Sequence, residues 1–155
     1  MPGIASLKAQ QYYAHPQNLF WKLIGEILGF DSAMPYEERV CVLQNHGIAV
    51  WDVLKHCVRE GSLDSDIEAD SAVPNDFASF FARHPAIHRI CFNGNAAASL
   101  FKRHVLPTQC FDASMSFIAL PSTSPANASI PRARKLQDWR AALDPGLDQR
   151  QSANR

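Results

Sequence analysis

The sequence contains no apolar run that approaches the roughly 18 residues a transmembrane helix requires. It also has no basic N-terminal region followed by an apolar stretch, which is the pattern of a secretory signal. We therefore expect a cytoplasmic protein with no membrane partner. The length of 155 residues is sufficient for one domain with a hydrophobic core.

Closely spaced cysteines are also absent. The four cysteines, Cys41, Cys57, Cys91 and Cys110, are separated by at least fifteen positions, so no C-x-x-C pair indicates a zinc or iron–sulfur site. We expect buried, reduced thiols, and the alternative is a cluster assembled from distant loops. The cysteine spacing therefore indicates no metal site.

Net charge is zero, because fifteen Lys and Arg residues balance fifteen Asp and Glu residues. The distribution is uneven, with ten acids and three bases in residues 31–76. Residues 77–135 contain seven bases and one acid, Asp112. A basic second half is compatible with docking on phosphates, although a solvated basic face is common in proteins of every class.

Helical and strand patterns alternate along the chain. The predicted helices are 18–29, 36–45, 76–85, 95–106 and 128–143, and the predicted strands are 47–54, 87–94 and 115–125. This alternation predicts one α/β domain over residues 1–143, a three-layer α/β/α sandwich around a mostly parallel sheet, with a flexible tail at 144–155. Ligands of such sheets bind where the strands open into loops, here "WDVL", "FNGN" and "PSTSPAN".

Six segments then occur in a recognisable order: "PG" (2–3), "AHPQNLFWK" (14–22), "GIAVWDVL" (47–54), "GSLDSDI" (61–67), "FNGNAA" (92–97) and "LPSTSPAN" (120–127). In this order they resemble the uracil-DNA glycosylase superfamily, and within it most closely the hypoxanthine (deoxyinosine) DNA glycosylases. The resemblance implies a uracil-DNA glycosylase-like fold and a monofunctional enzyme that acts as a monomer without a cofactor. Its partner would be double-stranded or single-stranded DNA from which a deaminated base is flipped out.

The dense aromatic cluster around the His-Pro-x-Asn step acquires a role from this resemblance. Asn18 would position the water that attacks the sugar C1′, and His15 would assist the water or contact a phosphate. Tyr13 and Phe20 would form apolar walls around the flipped base. The alternatives are a helix cap for Asn18, a hydrogen-bonded structural histidine for His15, and core packing for the aromatic rings.

The base would be selected by Asp52, which aligns with a base-reading position of the thymine-type members. A carboxylate only accepts hydrogen bonds, and hypoxanthine donates N1–H where adenine has a lone pair. Asp52 would therefore accept from one base and repel the other. Asn93 and Gly94 would present backbone N–H groups to the base or to a phosphate. The alternative for Asp52 is a capping aspartate at the end of a strand.

The late Ser/Pro-rich loop is the predicted DNA contact. Ser122, Thr123, Ser124 and Pro125 would enter the minor groove or pinch phosphates, because small hydroxyl side chains permit close approach to the DNA backbone. The alternative is an ordinary Ser/Pro turn.

Two features depart from the family pattern. Met1 stands where the mismatch-specific enzymes carry a water-positioning asparagine, so that role falls to Asn18. Family members also have a β-strand before Pro2-Gly3 that this sequence does not show, so the first strand of the sheet is expected to be missing. Its loss would impair folding and activity, which leaves open a nucleic-acid-binding remnant. The sequence is also compatible with a uracil- or mismatch-specific glycosylase, and with a nucleotide-binding protein that uses the "FNGN" turn.

Overall fold

A computed structural model describes residues 1–61 and 66–143 of the chain. The predicted tail at 144–155 and residues 62–65 of the "GSLDSDI" segment lie outside the described residues. In chain order the elements are α1 (Ile4–Ala9), α2 (Phe20–Leu28), α3 (Tyr36–Asn45), β1 (Leu54–His56), β2 (Val73–Pro74), α4 (Phe77–Arg83), β3 (Arg89–Asn93), α5 (Asn95–His104), β4 (Ser116–Leu120) and α6 (Arg132–Leu143). Short 3₁₀ turns cover Ala69–Ser71 and Leu106–Thr108.

The strands β3 and β4 run parallel and in register, from Arg89 opposite Ser116 to Asn93 opposite Leu120. These are the strands predicted at 87–94 and 115–125. Because they point the same way, their carboxyl ends meet at one edge, and the loops after Asn93 and Leu120 begin side by side.

Helices cover both faces of this parallel pair. On one face, Leu120 packs with the buried side chains Leu23 of α2 and Trp139 of α6. On the other face, Phe92 packs with Phe101 of α5 and a second aromatic cluster. The α/β fold class is confirmed, and the strand pair lies between two helical layers as expected for an α/β/α arrangement.

The predicted extent of the sheet is wrong in one respect. Within the described residues there are two separate two-stranded sheets, the parallel β3–β4 pair and the antiparallel β1–β2 pair. Residues 48–53, predicted as strand, have no regular structure, and only Leu54–His56 is extended and paired. The backbone of this segment bonds to single groups instead, with Ile48 N–H donating to Leu43 O and Val53 O accepting from Asn75 N–H. A strand requires a neighbouring strand of matching length, and apolar β-branched residues alone do not supply one.

The helix ends follow the local sequence closely. Helix α2 ends at Gly29, whose φ of 80° is the left-handed conformation that glycine adopts at low cost. Helix α4 begins at Asp76, whose Oδ1 accepts from Ser79 N–H at 3.0 Å, and ends just before His84. The short helix α1 is an element that the sequence pattern does not predict.

The cysteines are free thiols, but Cys41 and Cys110 are exposed and only Cys57 and Cys91 are partly buried, so the expectation of buried thiols is wrong. Burial raises the pKa of Cys91. No helix in the described part of the chain has the length and apolar character needed to cross a membrane.

Candidate active site

The carboxyl ends of β3 and β4 are joined by a reciprocal pair of hydrogen bonds. Asn93 Nδ2 donates to Thr123 Oγ1 at 2.8 Å, and Asn93 Oδ1 accepts from Thr123 N–H at 2.8 Å. The asparagine ends β3, and the threonine belongs to the loop that follows β4. This arrangement fixes the "PSTSPAN" loop against the "FNGN" turn.

The same threonine also holds the aromatic segment that precedes α2. Thr123 O accepts from Leu19 N–H at 3.0 Å, next to Asn18. Three of the predicted functional segments therefore meet at one residue. Thr123 itself is 0% exposed, and its hydroxyl oxygen accepts the hydrogen bond from Asn93 inside the protein. The prediction that its side chain contacts DNA is therefore wrong.

Tyr13 lies above Phe20, with the ring centroids 4.0 Å apart and the planes inclined by 25°. Its backbone adopts a φ of 56°, an uncommon conformation for a bulky residue that surrounding packing must maintain. Burial raises the pKa of Tyr13 to about 12, and a side-chain hydrogen bond with Asn93 partly opposes this rise. Phe20 is 4% exposed and packs into the core. It therefore supports the Tyr13 ring from below and leaves little of its own surface for a base.

Asn18 is partly buried at the entry to α2. Its Oδ1 accepts from Phe20 N–H at 2.9 Å, and its own N–H donates to His15 O at 2.9 Å. The N-cap position of α2 is occupied by Leu19 and has no side-chain cap bond, so the predicted N-cap role of Asn18 is wrong, and its side-chain oxygen forms a local turn with Phe20 N–H instead. An amide oxygen has two lone pairs, and Nδ2 forms no hydrogen bond with the described part of the chain. One acceptor position and both Nδ2 hydrogens therefore remain for a ligand.

His15 is exposed on the turn before Asn18. Its Nδ1 accepts from Gln17 N–H at 3.2 Å, so the neutral ring carries its proton on Nε2. The bond orients the imidazole at the protein surface beside Asn18. Among the described residues the exposed ring is held by this one backbone N–H, and the position suits contact with a phosphate better than removal of a proton from a buried water.

Asp52 is partly buried, with 22% of its side-chain surface exposed. Its backbone O accepts from Asn75 Nδ2 at 2.8 Å, and the amino group of Met1 lies 3.8 Å from Oδ1. The carboxylate also hydrogen-bonds the Tyr12 side chain, whose pKa is raised to about 12 by burial and then by the charge of Asp52.

After burial, the negative charge of Asp52 also contributes to the raised pKa of Tyr13. The aromatic pattern around Tyr12 favours core packing for this ring. Nothing in the sequence around Tyr12 indicates a contact with Asp52, which lies forty positions further along the chain. Only the fold identifies this contact.

Gly94 does not present its N–H to a ligand, so that part of the prediction is wrong. The Gly94 N–H is shared between Phe92 O at 2.9 Å and Leu120 O at 3.0 Å. A Cβ at this position would lie 2.9 Å from Ser122 Cβ, and φ is 98°. The glycine therefore permits the "FNGN" turn to approach the "PSTSPAN" loop closely.

The remaining residues of that loop are accessible. Ser122 and Ser124 are partly exposed and Pro125 is exposed. Ser122 Oγ accepts from Ser124 N–H and Ser124 Oγ accepts from Ala126 N–H, both at 3.2 Å. Each hydroxyl thus stabilises a turn and retains its own hydrogen as a donor toward solvent.

Helix α6 supports the loop from beneath with two residues that the sequence did not single out. Trp139 Nε1 donates to Pro121 O at 3.0 Å, and Lys135 Nζ donates to Asn127 O at 2.7 Å. Because Lys135 and Trp139 are four positions apart, the sequence indicates that they share one face of a helix. The spacing does not indicate what that face contacts.

Comparisons with known proteins agree with this geometry. The chain is 35% identical over 144 residues to a protein of Methanosarcina acetivorans named hypoxanthine DNA glycosylase, covering 92% of this chain and 85% of that protein. It is 37% identical over 95 residues to a hypoxanthine DNA glycosylase of Methanosarcina barkeri, covering 61% of this chain and 59% of that protein. No protein-family model matches the chain.

The fold has a solved counterpart in a solution NMR structure of a candidate uracil DNA glycosylase from Methanosarcina acetivorans. The TM-score is 0.74 at 34% identity, over 92% of this chain and 83% of that one. The predictions of the family, the α/β fold class and DNA glycosylase activity are thereby confirmed. With most of its length aligned to such a relative and its architecture shared with that structure, the chain belongs to the hypoxanthine DNA glycosylases of the uracil-DNA glycosylase superfamily.

Proposed function

We propose that this DNA glycosylase hydrolyses the N-glycosidic bond of deoxyinosine, releasing hypoxanthine and leaving an abasic site. The observation that carries the proposal is the bonding of Thr123 to both Asn93 and Leu19, the residue next to Asn18. Through these bonds the predicted base pocket and the predicted DNA loop form one continuous site at the carboxyl edge of β3 and β4. The names of the two Methanosarcina relatives support the choice of base.

Asn18 is the proposed water-positioning residue. Its Oδ1 is held by Phe20 N–H at 2.9 Å, which fixes the amide before substrate arrives. An amide oxygen orients a water by accepting one of its hydrogens, but it does not remove the proton. The contribution of Asn18 is therefore orientation of the attacking water at C1′, a preorganised polar group at the reacting centre.

Asp52 is the proposed base-reading residue. Its carboxylate would accept the N1–H of a flipped hypoxanthine and would oppose the N1 lone pair of adenine. The hydrogen bond from Tyr12 constrains the carboxylate. Two carboxylate oxygens together offer about four acceptor positions, so a base can bind beside the tyrosine. Guanine also donates N1–H, so its exclusion depends on its 2-amino group and the shape of the pocket.

The remaining residues position the nucleotide. Tyr13 would stack on the base, backed by Phe20. Ser122 and Ser124 would donate to phosphate oxygens and Pro125 would face the groove, because these loop residues are accessible at the same edge. A monomer acting on single-stranded or double-stranded DNA, without a metal, is sufficient for this chemistry.

The proposal is tested by incubating the full chain with labelled duplexes that contain deoxyinosine, deoxyuridine or only normal bases, followed by alkaline cleavage of abasic sites. We expect cleavage of the deoxyinosine strand. The likeness to a candidate uracil DNA glycosylase makes deoxyuridine the second substrate to compare. Cleavage of deoxyuridine alone would overturn the assignment of the base, and binding without cleavage of any duplex would identify a non-catalytic DNA-binding protein.

A further inference from the structure

Lys135 is buried to 1% exposure although its side chain carries an ammonium group. Its Nζ donates to the backbone oxygen of Asn127 at 2.7 Å. Burial lowers the pKa of Lys135, as expected when an ammonium loses its hydration. No Asp or Glu of residues 1–61 and 66–143 forms an ion pair with it. An apolar side chain of similar length would fill this position at lower cost, so stability alone does not account for the charge.

The partner of Lys135 closes the proposed DNA-contact loop. Asn127 N–H donates to Ser124 O at 3.0 Å, and Asn127 Nδ2 donates to Ser122 O at 3.4 Å. Asn127 therefore holds the end of the loop against Ser122 and Ser124, the two serines whose hydroxyls remain accessible. By holding Asn127 O, the ammonium fixes the last corner of this loop.

The first corner is held by the same face of α6. Trp139 lies four residues after Lys135, and its Nε1 donates to Pro121 O at 3.0 Å. Residues four apart lie on one side of a helix. Lys135 and Trp139 thus bind the two ends of residues 121–127, and the loop between them is presented outward from a rigid helix.

We infer that Lys135 is a positioning residue for DNA binding, which holds residues 121–127 in the shape that contacts phosphates and places a positive charge beneath them. The inference rests on the proposed function in taking this loop as the DNA contact. A charge-assisted bond to Asn127 O is stronger than a neutral one, and the charge makes the surface above it favourable for an anion.

The test is Lys135→Met in the full chain, with Lys102→Met as the matched control, since Lys102 is exposed on α5. The equilibrium Kd is measured for a deoxyinosine duplex and for the same duplex with normal bases. Phosphate contacts are independent of sequence, so we expect both values to rise by roughly tenfold, the scale of one charged hydrogen bond, with their ratio unchanged. The excision rate at saturating enzyme should change by less than about threefold. The substitution weakens binding of the substrate and of the transition state equally, and such a loss lowers the affinity without lowering the saturated rate.

Thermal unfolding separates positioning from a merely structural role. We expect the Lys135→Met variant to unfold within a few degrees of the wild-type temperature, because removal of the buried charge offsets the loss of the donor to Asn127 O. Trp139→Phe, which keeps a ring but loses the bond to Pro121 O, should also weaken binding of both duplexes. If the methionine variant does not fold, Lys135→Gln retains a donor without the charge and is tested in its place.

Wild-type affinity in a folded Lys135 variant would overturn the inference. So would an equal loss of affinity in Lys102→Met, or a saturated rate that falls as far as the affinity. The outcome is separable from that of the proposed function. A wild-type chain that binds DNA but does not cut deoxyinosine would refute the proposed function, and weaker binding by Lys135→Met would still support the inference.

Discussion

Asn93 and Thr123 bind each other through two hydrogen bonds of 2.8 Å, one in each direction. The pair ties the end of a strand to the loop after its parallel neighbour, and Thr123 O also receives Leu19 N–H. Because Thr123 is completely buried, these bonds form in an environment where an unsatisfied amide is costly. The geometry of the whole site therefore depends on this contact.

Removal of the Thr123 hydroxyl provides the first prediction. Thr123→Val keeps the shape of the side chain but leaves one Asn93 Nδ2 hydrogen without its acceptor, so the free energy of unfolding should fall by about 1–2 kcal/mol. Thr123→Ser retains the hydroxyl and should recover most of this loss. Urea denaturation of the three proteins measures the effect. Equal stability of the valine variant and the wild type would indicate that the bond contributes nothing net.

Asn18→Ala should lower the single-turnover excision rate by roughly 10²–10³, the scale of losing one preorganised polar group at a reacting centre. Affinity for the duplex should change far less, because phosphate contacts supply most of it. Gln17→Ala, an exposed neighbour, is the control and should cut normally. Asn18→Asp retains the acceptor for Phe20 N–H and should keep the thermal stability. An alanine variant that cuts at the normal rate but melts several degrees lower would leave Asn18 only the structural role of its bond to Phe20 N–H.

Asp52→Asn replaces a group that only accepts hydrogen bonds with one that also donates. Discrimination between hypoxanthine and bases without the lactam N–H should weaken by about 1–3 kcal/mol, while hypoxanthine release falls moderately. Uracil offers the same kind of N–H, so its release should decline in parallel. The measurement compares rates on deoxyinosine, deoxyuridine and normal duplexes for both proteins. An unchanged ratio across these substrates would place base selection elsewhere.

Gly94→Ala should lower the free energy of unfolding by about 2–4 kcal/mol, because a methyl group strains a φ of 98° and meets Ser122 Cβ at 2.9 Å. Gly47 is the matched control, since its φ is 69° but no atom lies within 4 Å of an added Cβ. Gly47→Ala should therefore cost only the backbone term, about 1 kcal/mol. Similar losses in the two variants would show that the approach to Ser122 is not tight.

The two raised tyrosine pKa values predict a loss of stability in alkali. Tyr12 and Tyr13 ionise near 12 in the folded chain, against 10.0 when unfolded, so the unfolded state releases their protons first. Their contribution is complete below pH 10.0 and is lost as pH rises toward about 12. Urea denaturation across this range measures the slope, and Tyr13→Phe should reduce it. A slope that is the same with and without the Tyr13 hydroxyl would contradict the burial of that group.

Local sequence decided the features that depend on neighbouring residues. The glycine after α2, the aspartate before α4 and the spacing of apolar residues identify those helices, since caps and periodicity act within a few positions. The runs before Asn93 and Leu120 identify the two parallel strands for the same reason. The ordered motifs also sufficed to identify the family. The position of Asn18 before α2 predicts an N-cap, but Leu19 takes that position and Asn18 forms a local turn with Phe20 N–H.

The tertiary structure decided which of these side chains are available for chemistry. A Ser-Thr-Ser run gives no sign that its middle residue is buried against Asn93 while its neighbours stay accessible. Similarly, "GIAVWDVL" has the composition of a strand, yet most of it stays unpaired because pairing depends on a partner strand distant in sequence. The contacts of Asp52 with Tyr12, and of Lys135 with Asn127, join groups whose proximity only the folded backbone creates, because burial and hydrogen-bond partners are properties of the whole chain.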